Sequence, residues 1–356
     1  MSRILLFDDD DSHRNEICQE LSKLIGDQAQ IEPFDGKPEP VEGFTYERHI
    51  ERQLRGDHEV DPIGLIACDK ELGLYSSYPG LSANAISVVA RNLGVPFCQY
   101  SQNPNANRRE LARFDELRRW DCEEITLAGN SIREWASDIA KLWNGFESIT
   151  SRYQDRAINK LKPAAALAAI MGRKDAESRI SLYGSGDQSI MTEVFALVDE
   201  SDPRGIKRMP RILGTWLQLS ILRFPGLLVN ETAAASYLNI ATKDFDKPEI
   251  QEYFKDAVYC GPFSELLKWW WRDDLDSILL EGNAEDGKQF VDAQRARVEP
   301  CLDEQAGDRA GFYCMITQLP VSRANSKGNI NWFPSGADLS RIRSDEFEQI
   351  TSLVSM

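Results

Sequence analysis

RILLFDDDD, residues 3–11, sets an apolar run against four consecutive aspartates, and IGLIACDK, residues 63–70, repeats the arrangement with Asp69 closing the run. A short apolar run closed by acid reads as a buried strand that ends at a polar edge. After the first run, Ile17, Leu21 and Leu24 follow at helical spacing, so the opening segment is strand, acidic turn, helix.

Outward from these two stretches the alternation continues. Strands are expected at 3–7, 28–33, 63–68, 95–100 and 124–127, and helices at 13–25, 46–54, 81–92 and 107–120. Ser131 can cap a last helix that carries Ile132, Trp135, Ile139 and Leu142 on one face. IGLIAC (63–68) and VPFCQY (95–100) are nearly continuous apolar runs, the pattern of strands covered on both faces. The expected fold is therefore α/β, a doubly wound five-stranded parallel sheet of the flavodoxin-like type. The second strand is followed by FDGKPEPVEGF (34–44), a long Pro/Gly/Glu loop.

The chain has 356 residues, more than the roughly 250–300 at which one hydrophobic core stops growing. Two domains are expected, an α/β domain over 1–147 and a mainly α-helical one over 148–356. Helices are read at about 152–171, 188–198, 209–223, 231–237, 248–259 and 262–280, with a strand at 312–317.

The formal charge is −16, and residues 1–150 hold 16 Lys and Arg against 27 Asp and Glu. Neither half shows the basic excess of a typical nucleic-acid binder. The seven cysteines show no paired spacing, which argues against a disulfide framework. The first apolar run is too short for a signal segment and no run approaches the ~18 residues of a membrane span, so a cytoplasmic location is expected.

In a parallel sheet of this kind ligands sit beyond the carboxyl ends of the strands. Asp8 and Asp9 end the first strand, Asp69 the third and Ser101 the fourth. In the strand order 2-1-3-4-5 the three carboxylates become neighbours, and a hard oxygen-seeking cation such as Mg²⁺ answers their mutual repulsion.

These stretches resemble the receiver domain of two-component response regulators. RILLFDDDD is similar to that family's first strand with its acidic pair, and LIACD to its third strand with the phosphoacceptor; the resemblance covers roughly residues 1–146. It implies Asp69 as the phosphorylated residue and Asp8, Asp9, Asp69 and the main-chain carbonyl of Glu71 as Mg²⁺ ligands. It further implies the Ser101 hydroxyl as a contact of the phosphoryl group, with a sensor histidine kinase or another protein as partner. The family's lysine after the fifth strand is missing: that segment reads EEITLAGN (123–130), and the nearest cations are Arg108 and Arg109. The face where receivers change shape carries Arg113, Arg118, Arg119, Trp120 and Trp135, the expected contacts for the second domain or for a homodimer.

Two other readings use the same sequence. Asp8 and Asp10 form a D-x-D after the first strand, which resembles the nucleophile and acid/base pair of haloacid-dehalogenase-type phosphohydrolases. In the second half, ETAAASYLNI (231–240) is mildly similar to the start of a helix-turn-helix, as in a DNA-binding regulator, but ATKDFDKPEI follows where a recognition helix belongs. Trp269, Trp270 and Trp271 cannot share one helix face, so a helix there should expose one of them or bury it against a partner. The segment 322–342, with Arg323, Lys327, Asn331, Ser335, Asp338 and Arg341, is the candidate ligand-contacting loop of this half.

Overall fold

The computed structural model describes residues 2–34, 46–60, 62–70, 72, 81–102, 125–129, 131–184, 203–331 and 333–354. These fall into two compact units. One lies within 2–159 and takes in 203–215; the other holds 160–184 and 216–354.

The first unit runs β1 (Ser2–Phe7), α1 (Asp11–Ile25), β2 (Ala29–Pro33), α2 (Tyr46–Val60), β3 (Ile63–Asp69), α3 (Ala83–Leu93), β4 (Phe97–Gln102), β5 (Ile125–Gly129) and α4 (Ile132–Tyr153). The five strands form one parallel sheet in the order β2-β1-β3-β4-β5. The α/β architecture read from the alternation is the one found. The helix expected over 107–120 and the loop after β2 lie outside the described residues.

Strand alternation explains how the sheet is covered. Leu5 and Phe7 of β1 join Ile50 and Leu54 of α2 and Ile86, Val89 and Ala90 of α3 in one cluster. Ile4 and Leu6 are fully buried and point the other way, toward the face on which α1 and α4 pack together. Full burial of each such side chain contributes about 1.5–3 kcal/mol, so the sheet has its helices on both sides. The helix ends obey local chemistry. The side chains of Asp10, Ser82 and Ser131 cap α1, α3 and α4 by accepting backbone N–H bonds. Gly94 ends α3 at φ 77°, a left-handed conformation that glycine adopts without penalty. α4 continues past residue 147, the expected domain boundary, to Tyr153.

The second unit is helix-rich with two small sheets. Leu228–Asn230 pairs antiparallel with Trp269–Trp271, and four short strands form a sheet from Gly311–Cys314, Pro320–Ser322, Ser326–Lys327 and Ser340–Arg343. The strand expected at 312–317 is the first of these four, starting one residue earlier and ending at Cys314.

Three expected helices are broken. Instead of one helix over 152–171, α4 ends at Tyr153 and a new helix starts at Pro163, because a ring with no N–H and a preset φ suits the first turn and not the interior. The helix read over 248–259 is a short α-turn, Pro248–Gln251, followed by a 3₁₀ segment, Glu252–Ala257. The helix read over 262–280 begins only at Arg272. The tryptophans before it are a strand, and all three are buried. Successive side chains of a strand leave by opposite faces, and here both faces are filled. Trp270 meets Phe245 edge-on at 5.1 Å, while Trp271 meets Tyr259 at 5.5 Å and lies under Arg173. The helix read over 188–198 lies outside the described residues.

Candidate functional site

The parallel register pairs Phe7 with Cys68, which brings the next residues, Asp8 and Asp69, level at the carboxyl edge of neighbouring strands. Asp8, Asp9 and Asp69 each offer a carboxylate oxygen, and these oxygens lie within 4.8 Å of one another. Asp8 is buried, with Asp9 and Asp69 half-buried.

Asp8 is held at both oxygens. Its Oδ1 accepts from the backbone amide of Asp10 at 2.8 Å, and its Oδ2 accepts from the Tyr100 hydroxyl at 2.8 Å. Its carbonyl accepts from Arg14 Nη1 at 3.2 Å, and Arg14 also pairs with Asp11 at 2.7 Å. Burial raises the carboxyl pKa of Asp8 above the ordinary value, opposed by the bonds from Tyr100 and the Asp10 amide. Burial, with Asp8 beside it, pushes the Tyr100 phenol well above its usual range, so it stays a donor.

The four aspartates of the opening stretch thus divide their roles. Asp10 is the N-cap of α1 and accepts from the amides of Ser12 at 2.8 Å and His13 at 3.1 Å. These bonds hold its pKa below the usual carboxylate value. Asp11 pairs with Arg14, and only Asp8 and Asp9 join Asp69.

Ser101 follows Tyr100 in β4, is half-buried, and sits opposite Ala128 of β5. By alternation its side chain leaves on the face opposite Tyr100, and no hydrogen bond joins it to the acidic group among the described residues. Glu71, Arg108, Arg109, Arg113, Arg118, Arg119 and Trp120 lie outside the described residues. Trp135, read on the apolar face of the last helix and among the expected contacts of the second domain or a homodimer, is buried. Its ring lies 5.6 Å from that of Tyr100 and fills the room beside Gly129 where a Cβ would meet it at 2.6 Å.

Three carboxylates within reach of one another are hard oxygen donors. They could hold a metal ion, and oxygen-only donors of this kind are the ligands that hard divalent cations take. Tyr100 was missed by sequence reasoning. Its signal is the position itself: a hydroxyl-bearing aromatic in an apolar strand, in register with Asp69.

In the second unit the candidate loop is held by its own charges. Arg341 Nε donates to Ser326 Oγ at 2.6 Å with the guanidinium over Phe312, and Asp338 pairs with Arg272 at 2.6 Å. Within 231–240, Ala233, Ala234, Ala235, Leu238 and Ile240 are buried in the core of this unit.

Comparison of the chain with protein-family models, with curated proteins and with solved structures found no match. What defines the class here is the strand order together with the clustered Asp8, Asp9 and Asp69, a combination consistent with a receiver-like fold. No helix among the described residues is long and apolar enough to cross a membrane.

Proposed function

We propose that this chain is a signal-transduction protein whose N-terminal unit accepts a phosphoryl group on Asp69 with Mg²⁺ held by Asp8 and Asp9, and whose helix-rich remainder is the output. The observation that carries the reading is the convergence of the three carboxylates within 4.8 Å at the carboxyl edge of a 2-1-3-4-5 sheet.

In the step envisaged, a carboxylate oxygen of Asp69 attacks phosphorus, the donor's bond to phosphorus breaks, and the donor leaves with the electron pair. The product is an acyl phosphate on Asp69. Mg²⁺, when bound, would neutralise the crowded carboxylates and the charge on the transferred oxygens. Asp8, oriented by two donors, and Asp9 would be its ligands, with the Glu71 carbonyl as a further one; Ser101, which leaves β4 on the other face, would have to turn its hydroxyl round the strand end to meet the phosphoryl group. No lysine stands at the end of β5, where the sequence reads EEITLAGN, and the side of β5 at Gly129 is taken by Trp135. Phosphorylation is therefore read as a modest modulation of binding to a protein partner, a sensor histidine kinase or a second copy of this chain among them.

The phosphohydrolase reading is less favoured, because the Asp10 carboxylate is engaged as a helix cap rather than turned to the acidic group. The test is exposure to a small acyl-phosphate donor with Mg²⁺, followed by intact-mass measurement. Wild type should gain one phosphoryl group and Asp69→Asn none. Equal adducts on both proteins would remove Asp69 from the role, and multiple turnover of a phosphate ester that Asp8→Asn abolishes would favour the hydrolase.

A further inference from the structure

We propose that Tyr100 is the positioning residue of the acidic crevice, and that its ring carries the state of the crevice to Trp135 in α4. The inference rests on reading Asp8, Asp9 and Asp69 as a cation site.

Tyr100 belongs to β4, whereas Asp8 follows β1, and β3 runs between them. Neighbouring strands are about 4.8 Å apart, so the two backbones are separated by roughly 9–10 Å. A long side chain with a terminal hydroxyl spans that gap, and the Tyr100 phenol reaches Asp8 Oδ2 at 2.8 Å and the Phe7 carbonyl at 3.4 Å. The Asp10 amide holds the other oxygen. With a donor on each oxygen the plane of the Asp8 carboxylate is fixed, while each oxygen keeps a further acceptor position for a ligand. A cation that requires near-octahedral geometry at 2.0–2.1 Å tolerates little wandering of its ligands. Donors that orient ligating carboxylates therefore tune the affinity of the site.

At its other side the Tyr100 ring meets Trp135 at 5.6 Å with the planes tilted by 36°. The Trp135 indole N–H is buried and has no acceptor among the described residues, so packing against Tyr100 and Gly129 is what locates the ring. Cation binding at Asp8 thus acts on the phenol bonded to it and, through the phenol, on the indole that leans against its ring.

The test titrates the full chain with Mg²⁺ alone, reading affinity by calorimetry and tryptophan emission in parallel. The chain has eight tryptophans, so the emission change is assigned by Trp135→Phe. Tyr100→Phe is expected to weaken Mg²⁺ binding about tenfold, the lower end of what loss of an orienting partner costs. Trp135→Phe should bind Mg²⁺ with unchanged affinity and lose the Mg²⁺-dependent emission change. Unaltered affinity in Tyr100→Phe, with only a lowered melting temperature, would make Tyr100 a core residue and overturn the proposal. A full emission change in Trp135→Phe would overturn the coupling, and would do so even if Tyr100→Phe failed to fold. Wild type that binds no Mg²⁺ would sink the cation site itself and this inference with it. Wild type that binds while Tyr100→Phe binds equally well would sink the inference alone.

Discussion

The indole of Trp135 stands 2.6 Å from the point where a Cβ on Gly129 would sit. Gly129 is the last residue of β5 and Trp135 lies in the first turn of α4, so the chain folds back on itself within six residues and closes the sheet edge with an aromatic ring. This contact is why no side chain is accommodated at position 129. Gly129→Ala is expected to lower stability by about 1–3 kcal/mol, the usual cost of forcing an extra methyl into a packed site. The Trp135→Leu change in the same protein should recover part of the loss. Urea midpoints of the two single variants and the double variant measure the coupling, and strict additivity would show that the ring is not what opposes the methyl.

Mg²⁺ should raise the melting temperature of the wild-type chain. A ligand that binds only the folded state stabilises it by about 2.7 kcal/mol at one hundred times its dissociation constant. Asp8→Asn, Asp9→Asn and Asp69→Asn each remove one of the three carboxylates that converge here, and the Mg²⁺-dependent rise should shrink in all three. Thermal melts with Mg²⁺ and with chelator provide the check.

Asp303 should make the second unit acid-sensitive. Burial alone would raise its pKa, but bonds from the Ser322 amide at 2.8 Å, Asn325 Nδ2 at 3.2 Å and the Gln305 amide at 3.1 Å outweigh it and hold the value below the ordinary 3.8. A carboxyl depressed in the folded state contributes stability that is fully present above its unfolded pKa and is lost as pH falls through the folded one. Asp303→Asn is therefore expected to cost about 1–3 kcal/mol at neutral pH, where donors lose their charged acceptor. Its deficit should narrow below pH 3.8. Urea midpoints across the acid range test the sign.

Trp270 should be a large contributor to the second core. It is fully buried against Phe245, with Lys268 over its ring. Trp270→Ala should cost about 3–5 kcal/mol, as expected for deleting a buried aromatic. By contrast Leu267, 64% exposed two residues from the strand, should tolerate Ser within about 0.5 kcal/mol. Denaturant midpoints of the two variants separate a core role from an interaction surface.

The alternation of apolar runs and helical stretches over residues 2–153 was enough to specify the parallel sheet, because βα crossovers bury each strand on both faces and leave a continuous apolar run as the trace. The same logic placed Asp8, Asp9 and Asp69 at one edge, since a strand's last residue is fixed by where its apolar run stops. In 231–281 the local pattern was ambiguous. An apolar run such as Trp269–Trp271 suits a buried helix or a buried strand equally, and only its pairing with Leu228–Asn230 made it a strand. The division of labour within Asp8–Asp11 was likewise invisible to spacing. Whether an aspartate caps a helix, pairs with Arg14 or joins Asp69 depends on side-chain directions fixed once α1 is docked. The reach of Tyr100 to Asp8 is the clearest case: the two are 92 residues apart in sequence, and what joined them was the crossover order that sets β3 between β1 and β4, at a distance a phenol can bridge.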